Sequence, residues 1–227
     1  MFVPLHDSIP LKVIRFQFVT LSIITVNVVI WLSTGAFGSD ATMVAVAEAY
    51  GLIPAVFNGE AAQAWHGVPE PFTLITYMFL HAGWWHLFTN MLFLWVFADN
   101  VEDAFGYAAF LCLYLVSGIA GGLLHVALEP AAQSPLIGAS AAVSGVLGAY
   151  AVLYPRSRVW VLLFTTIPLK ISAMWVLGAW FVFQFLYVFL ASARNEPIAW
   201  WSHIGGFAVG VVITWALRHQ LIRRLAS

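Results

Sequence analysis

The chain has 227 residues, of which 62% are hydrophobic and 8% charged, and its formal net charge is −1; mean hydropathy is +0.91. Soluble domains carry about 25% charged residues, so these values exclude a water-soluble globule and describe an integral membrane protein. The charge balance, with no basic stripe, offers nothing to nucleic acid, and the single cysteine, Cys112, excludes an intrachain disulfide and any CxxC redox or zinc motif.

Taken in chain order, the sequence is expected to cross the bilayer six times, at about 14–34, 82–100, 107–127, 137–154, 170–192 and 200–218, each near the roughly 20 residues that a hydrocarbon core demands. Met1 to Lys12 does not read as a secretory signal: the apolar run after Arg15 is too long for an h-region and meets no clean cleavage site. A long connector, about 35–81, holds Asp40, Glu48, Glu60, Glu70 and Pro54, Pro69, Pro71 beside apolar patches such as Met43–Val46 and Ile53–Phe57, and reads as a folded loop lying in the membrane interface. Cys112, in the third span, reads as a small buried hydrophobe. The segment 159–169, ending in Ile167-Pro168, is too short to span and is expected to lead into the fifth helix along the inner face. With the N-terminus inside, the inner face receives Lys12, Arg15, Arg156, Arg158, Lys170, Arg218, Arg223 and Arg224, and the outer face only Arg194, which places both termini in the cytoplasm. Trp84-Trp85 and Trp200-Trp201 fall at the outer ends of spans two and six, where aromatic belts form.

Within this apolar chain a few polar residues gather near the outer starts of spans two, four and six: His86 and Asn90, Ser140, and His203. Counting from Pro135 and Pro197, Ser140 and His203 are expected roughly 7–9 Å below their helix starts at 1.5 Å per residue. Ionisable groups at membrane depth are costly unless they face a cavity or a partner. His86 and Asn90 are four apart and share a face, and His203, Gly206 and Gly210 form an i, i+3, i+7 stripe. The segment Gly138-Ala139-Ser140-Ala141-Ala142-Val143-Ser144-Gly145 carries small-xxx-small spacing, as Ala141/Gly145 and Ser140/Ser144, which lets helices approach closely. A hydroxyl at the head of such a helix is either packing glue or a nucleophile beside free N–H groups. A neutral imidazole within about 3 Å would take the serine's proton as it attacks a carbonyl. No Asp or Glu sits at matching depth, so a third group orienting the imidazole is not visible, and water would have to reach the pair from the outer face.

Three blocks together resemble the rhomboid family of intramembrane serine proteases: His81-Ala82-Gly83-Trp84-Trp85-His86-Leu87-Phe88-Thr89-Asn90, Gly138-Ala139-Ser140-Ala141 and Ser202-His203-Ile204-Gly205-Gly206. The likeness covers about 70–217, and Glu102 and Gly106 match the family's Glu-xxx-Gly. It implies an all-α, six-transmembrane-helix rhomboid-like bundle with a long membrane-embedded first loop, forming one integral membrane domain. It implies Ser140 as nucleophile, His203 as general base, and His86, Asn90 and the Ser140 N–H as oxyanion stabilisers, with Gly138 in the loop that shapes the oxyanion hole. It implies transmembrane protein substrates, admitted between spans two and five, and no cofactor. Ala141, Ser202 and Ala98 depart from residues frequent in the family, and the first long loop contains no arginine, so the Trp-Arg pair of many relatives is absent. None of these changes removes a catalytic group.

Blander roles fit the other polar residues. Ser144 is expected to pack, His81 to be structural, His125 and Glu129 to form an outer-interface pair, and Gln184 to bond between helices. His6, His66 and His219 are expected at the surface. Without His-Glu-x-x-His or clustered Cys/His, no metal is expected. Two other functions stay open: a non-catalytic membrane chaperone or binding module on the same scaffold, and a small transporter, which would want polar residues through the whole membrane thickness. Short tails and the absence of a presequence suggest a bacterial cytoplasmic membrane.

Overall fold

A computed structural model describes residues 2–35, 38–62, 67–163, 166–192 and 200–226; for 187–192 it describes the backbone alone. The expectations for His66, Arg194, Glu196 and Pro197 lie outside the described residues. The elements run β1 (Phe2–Asp7), α1 (Phe18–Thr34), α2 (Asp40–Tyr50), α3 (Pro54–Phe57), α4 (Glu70–Thr76), a 3-10 turn (Tyr77–Phe79), α5 (Trp84–Phe105), α6 (Tyr107–Leu128), α7 (Ser140–Leu153), β2 (Arg158–Leu163), β3 (Ile167–Ser172), α8 (Ala173–Ser192) and α9 (Trp200–Ala226). By length and composition, α6 and α9 are apolar enough to cross a membrane, and α1, α7 and the stretch Ala173–Leu186 are shorter apolar helices.

The centre of the molecule is α7. Its residues Ala141 to Tyr150 are buried without a break, as expected of a helix with no polar face. It can be so enclosed because its residues are small. A Cβ added at Gly206 or Gly210 of α9 would run into the backbone of Ala141 or Gly145 on α7, and one at Gly148 would run into Phe207 of α9. The two backbones therefore touch, which is the close approach that the glycine stripe foreshadows. The largest fully buried side chains are Tyr77, Phe97, Phe110 and Tyr114 from other elements and Tyr150 of α7 itself.

The C-terminal end of α5 is tied to the start of the chain by carboxylates. Glu102, near the end of α5, accepts from Val19 N (2.9 Å), Thr20 N (2.8 Å) and Thr20 Oγ1 (2.6 Å), so it caps the start of α1 from another helix. Asp103 accepts from the backbone N–H groups of Lys12 (2.8 Å), Val13 (2.7 Å) and Ile14 (2.7 Å). α1 starts at Phe18, four residues after the expected start. Gly106, in the left-handed region (φ 77°), turns the chain from α5 to α6 and lies against the Arg224 guanidinium, which donates to Phe105 O (3.1 Å) at the C-terminal end of α5.

The fold is mostly helical, as expected of an all-α membrane chain, with one small sheet in addition. β1, β2 and β3 form a three-stranded antiparallel sheet in that order, with Asp7 opposite Val159 and Val159 opposite Ile171. The segment read as a lead-in to the fifth helix falls in β2 and β3 of this sheet; the run Arg158-Val-Trp-Val-Leu-Leu163 has strand periodicity, buried at Val159 and Val161. Asp7 fastens β1 beneath the bundle: its Oδ2 accepts from Tyr150 OH (2.6 Å) and Asn100 Nδ2 (3.0 Å). Burial pushes the Asp7 carboxyl above its ordinary range, against the opposing pull of these bonds.

Cys112 also departs from expectation, being exposed on α6. The buried face of that helix carries Phe110, Leu113, Tyr114, Ser117, Gly118 and Gly121, and Cys112 lies outside it. In a membrane chain an apolar residue is as well placed against lipid as against protein. The first connector is folded as expected, with three short helices and the 3-10 turn.

Candidate active site

The site is assembled at the heads of α5, α7 and α9. α7 begins at Ser140 itself, which corrects the expectation that this serine lies one to two turns inside its helix. The loop before it is pinned by backbone bonds: Leu136 pairs with Leu52 across the connector, with N···O distances of 3.1 and 2.8 Å, and Gly138 N donates to Tyr77 O (2.9 Å). Ala55 N donates to Ala132 O (3.0 Å) in the same region. The first connector thus positions the loop that delivers Ser140.

His203, in the first turn of α9, points its Nε2 at Ser140 Oγ with a separation of 2.7 Å. Both side chains are half-buried. The helix-to-helix contact through Gly206 and Gly210 lies one and two turns further along the same stripe, so the glycines bring the two backbones close enough for this bond. On its other side, His203 Nδ1 is 2.9 Å from Gln184 Oε1 of α8. Two tryptophans bracket the imidazole, Trp200 edge-on at 5.8 Å and 88° and Trp180 at 6.3 Å and 33°.

Gly138 adopts φ 124°, a conformation that favours glycine. A Cβ there would come 2.7 Å from His86 Nε2 and 3.7 Å from Ser140 Oγ, so the His86 ring lies against the loop that carries the serine. His86 Nδ1 accepts from Ala82 N (3.3 Å), which leaves Nε2 as the face turned to Gly138. Asn90 is buried, and one N–H of its amide goes to His86 O (2.9 Å). Four of the five residues singled out by sequence are thereby linked by contact or close approach: Ser140 with His203, and Gly138 with His86 and Ser140. Asn90 joins them through the His86 backbone. The N–H groups at the start of α7 have no acceptor within their own helix and carry its positive dipole end.

The remaining polar residues separate from this group. Ser144 is fully buried and its Oγ donates to Ser140 O (2.6 Å), a bond within the helix. His81 is buried with its ring 5.1 Å from that of His86. His125 is buried with Nδ1 unpartnered, and Glu129 meets it only through a backbone bond, so the expected outer-interface pair is not formed. His6 and His219 are exposed.

The Rhomboid domain family model matches residues 68–220, about two thirds of the chain. The chain belongs to the rhomboid family. Membership makes it an integral membrane protein. It is similar to Rhomboid protein 1, mitochondrial, of Saccharomyces cerevisiae, at 32% identity over 173 residues, 70% of this chain and 47% of the relative. It is also similar to Rhomboid-like protein 11, chloroplastic, of Arabidopsis thaliana, at 29% identity over 163 residues (67% and 55%), and to Rhomboid-like protease 3 of Toxoplasma gondii, at 32% over 140 residues (62% and 49%). The chain spans about half the length of the curated relatives it matches. All three site blocks of this rhomboid chain, and the connector residues from 68, fall inside the matched region; β1 and the whole of α1 to α3 precede it. Sequence reasoning left Gln184 as a bond between helices without naming its partner. No spacing rule connects it to His203, because 19 residues and a break between helices separate them.

Proposed function

We propose that this chain is an intramembrane serine endopeptidase that hydrolyses peptide bonds in or near the transmembrane segments of other membrane proteins. The observation that carries the reading is the 2.7 Å contact between Ser140 Oγ and His203 Nε2. In the proposed reaction Ser140 Oγ attacks the scissile carbonyl carbon while its proton passes to His203 Nε2. The carbonyl oxygen becomes an oxyanion beside the Ser140 N–H and the loop at Gly138, within reach of donors from His86 and Asn90. The tetrahedral adduct collapses with expulsion of the amine, which takes the proton from His203. Water then repeats the sequence on the acyl-enzyme, and His203 again accepts and returns the proton.

The proposed setting is a single domain over 1–227 that crosses the bilayer six times, through α1, α5, α6, α7, α8 and α9. Eight of the nine basic residues then fall on one face, which supports cytoplasmic termini. A bacterial cytoplasmic membrane suits this arrangement. The partners are transmembrane protein substrates within the lipid, and the chemistry needs no cofactor.

The test is cleavage of a single-span substrate by the purified full chain in detergent. Ser140→Ala and His203→Ala are expected to lower the rate by at least about 10³-fold with the thermal transition retained, as for other serine-histidine catalysts. Cleavage that survives both substitutions would end the proposal.

A further inference from the structure

We propose that Gln184 is a positioning residue for His203, holding the imidazole as its Nδ1–H tautomer so that Nε2 is bare toward Ser140. This rests on the serine-protease reading above, and it supplies the third member that the acidic residues do not.

The argument begins with the amide. Gln184 is buried, at 4% exposure, on α8. Its Nε2 donates to Trp180 O, one turn back on the same helix (3.2 Å). A carbonyl oxygen only accepts, so the NH2 end of the amide must face Trp180, and the opposite orientation would set two oxygens against each other. The end turned to His203 is therefore Oε1, 2.9 Å from Nδ1. An amide oxygen also only accepts, so Nδ1 must carry the hydrogen. A neutral imidazole has one N–H, and with it on Nδ1 the lone pair is left on Nε2. Nε2 is the atom 2.7 Å from Ser140 Oγ. One backbone carbonyl on α8 thus decides, through two bonds, which nitrogen faces the serine.

The other tautomer would point N–H at Ser140 and could not take its proton. It would also leave Gln184 Oε1 facing a bare nitrogen lone pair in a buried site, which is unfavourable for both. The rings of Trp180 and Trp200 restrict tilt of the imidazole but offer its ring nitrogens no acceptor of their own, so tautomer choice rests on the glutamine. An amide does this without adding a second charge beside a histidine that becomes positive during the reaction.

The experiment uses the full chain and a single-span substrate that the wild type cleaves and Ser140→Ala does not. Gln184→Met keeps length and removes the acceptor. Gln184→Glu keeps an oxygen for Nδ1–H in either protonation state. Gln184→Met is expected to lower kcat about 10- to 100-fold with KM within about twofold, and Gln184→Glu to recover to within about fivefold of wild type, the scale of effect that misorienting a catalytic group produces. A glutamine that served only helix association would lower the thermal transition in both variants and leave kcat per folded molecule unchanged. A second measurement needs no substrate: 15N spectra of histidine-labelled protein at alkaline pH. The resonance pair that vanishes in His203→Phe is expected to show a protonated Nδ1 and a bare Nε2 in wild type, and mixed tautomers in Gln184→Met. Wild-type kcat in Gln184→Met, or an Nε2–H tautomer in wild type, would overturn the assignment. Failure of the wild type to cleave any substrate would remove the protease reading, and the tautomer result would still decide the role of Gln184.

Discussion

The two ends of the helix bundle carry polar groups, and they use them differently. At the C-terminal ends of α5 and α7, Glu102 and Asp103 accept six hydrogen bonds between them from the chain at 12–20, and Tyr150 and Asn100 both donate to Asp7. Those carboxylates are buried, and both oxygens of Glu102 and of Asp103 are satisfied by neighbouring backbone. At the N-terminal ends of α7 and α9, Ser140 and His203 are half-buried and bonded to each other, with Gln184 of α8 on the far side of the imidazole, beside helix N–H groups that have no acceptor within their own helix. A polar residue in an apolar chain is thus no sign of chemistry in itself. The difference lies in whether its bonding capacity is consumed by the fold or held ready at a surface.

That comparison can be broken at the junction between α7 and α9. Gly210→Ala pushes a methyl into the Gly145 backbone and should cost about 3 kcal/mol, the upper range for overpacking. On the proposed protease reading it should also lower cleavage by about 100-fold in the protein that still folds, because a displacement of about 1 Å between reacting groups has that effect. Turnover in detergent, normalised to folded protein, checks it. Unchanged turnover would show that the glycine contact does not set the Ser140–His203 distance.

The C-terminal ends of α5 and α7 should behave in the opposite way. Glu102→Gln replaces a capping carboxylate with an amide that presents its own donors to Val19 and Thr20, and about 3 kcal/mol of stability should be lost, given 1.5–3 kcal/mol for a bond to a charged group. Turnover per folded molecule should remain near wild type. Denaturant titration alongside the cleavage assay separates the two, and a large loss of turnover without loss of stability would merge the two regions functionally. At the small end of the scale, Cys112→Ala on the outer face of α6 should change stability by less than about 0.5 kcal/mol and leave cleavage unaltered.

Much of the site was legible because its signals are local. The Ser140 segment, the His86/Asn90 pair and the His203 glycine stripe each lie within one helix, and periodicity alone orients them. What was not legible depends on partners far away in the chain. The start of α7 at Ser140 follows from Leu136 pairing with Leu52, the anchoring of Lys12 to Ile14 from Asp103, and the tautomer of His203 from a carbonyl on α8. The sheet escaped because its strands are six residues each and apolar, so in a greasy chain they look like the flank of a membrane helix. Cys112 escaped for a related reason: periodicity distinguishes buried from wet faces, and a lipid-facing surface is neither.

The most direct test of the central claim is reaction of the folded chain with a fluorophosphonate probe, followed by mapping of the modified residue. Nucleophilic activation by an adjacent imidazole predicts a single adduct, on Ser140, that disappears in His203→Ala. An adduct on Ser144 or another serine, or labelling of Ser140 that persists undiminished without His203, would contradict it.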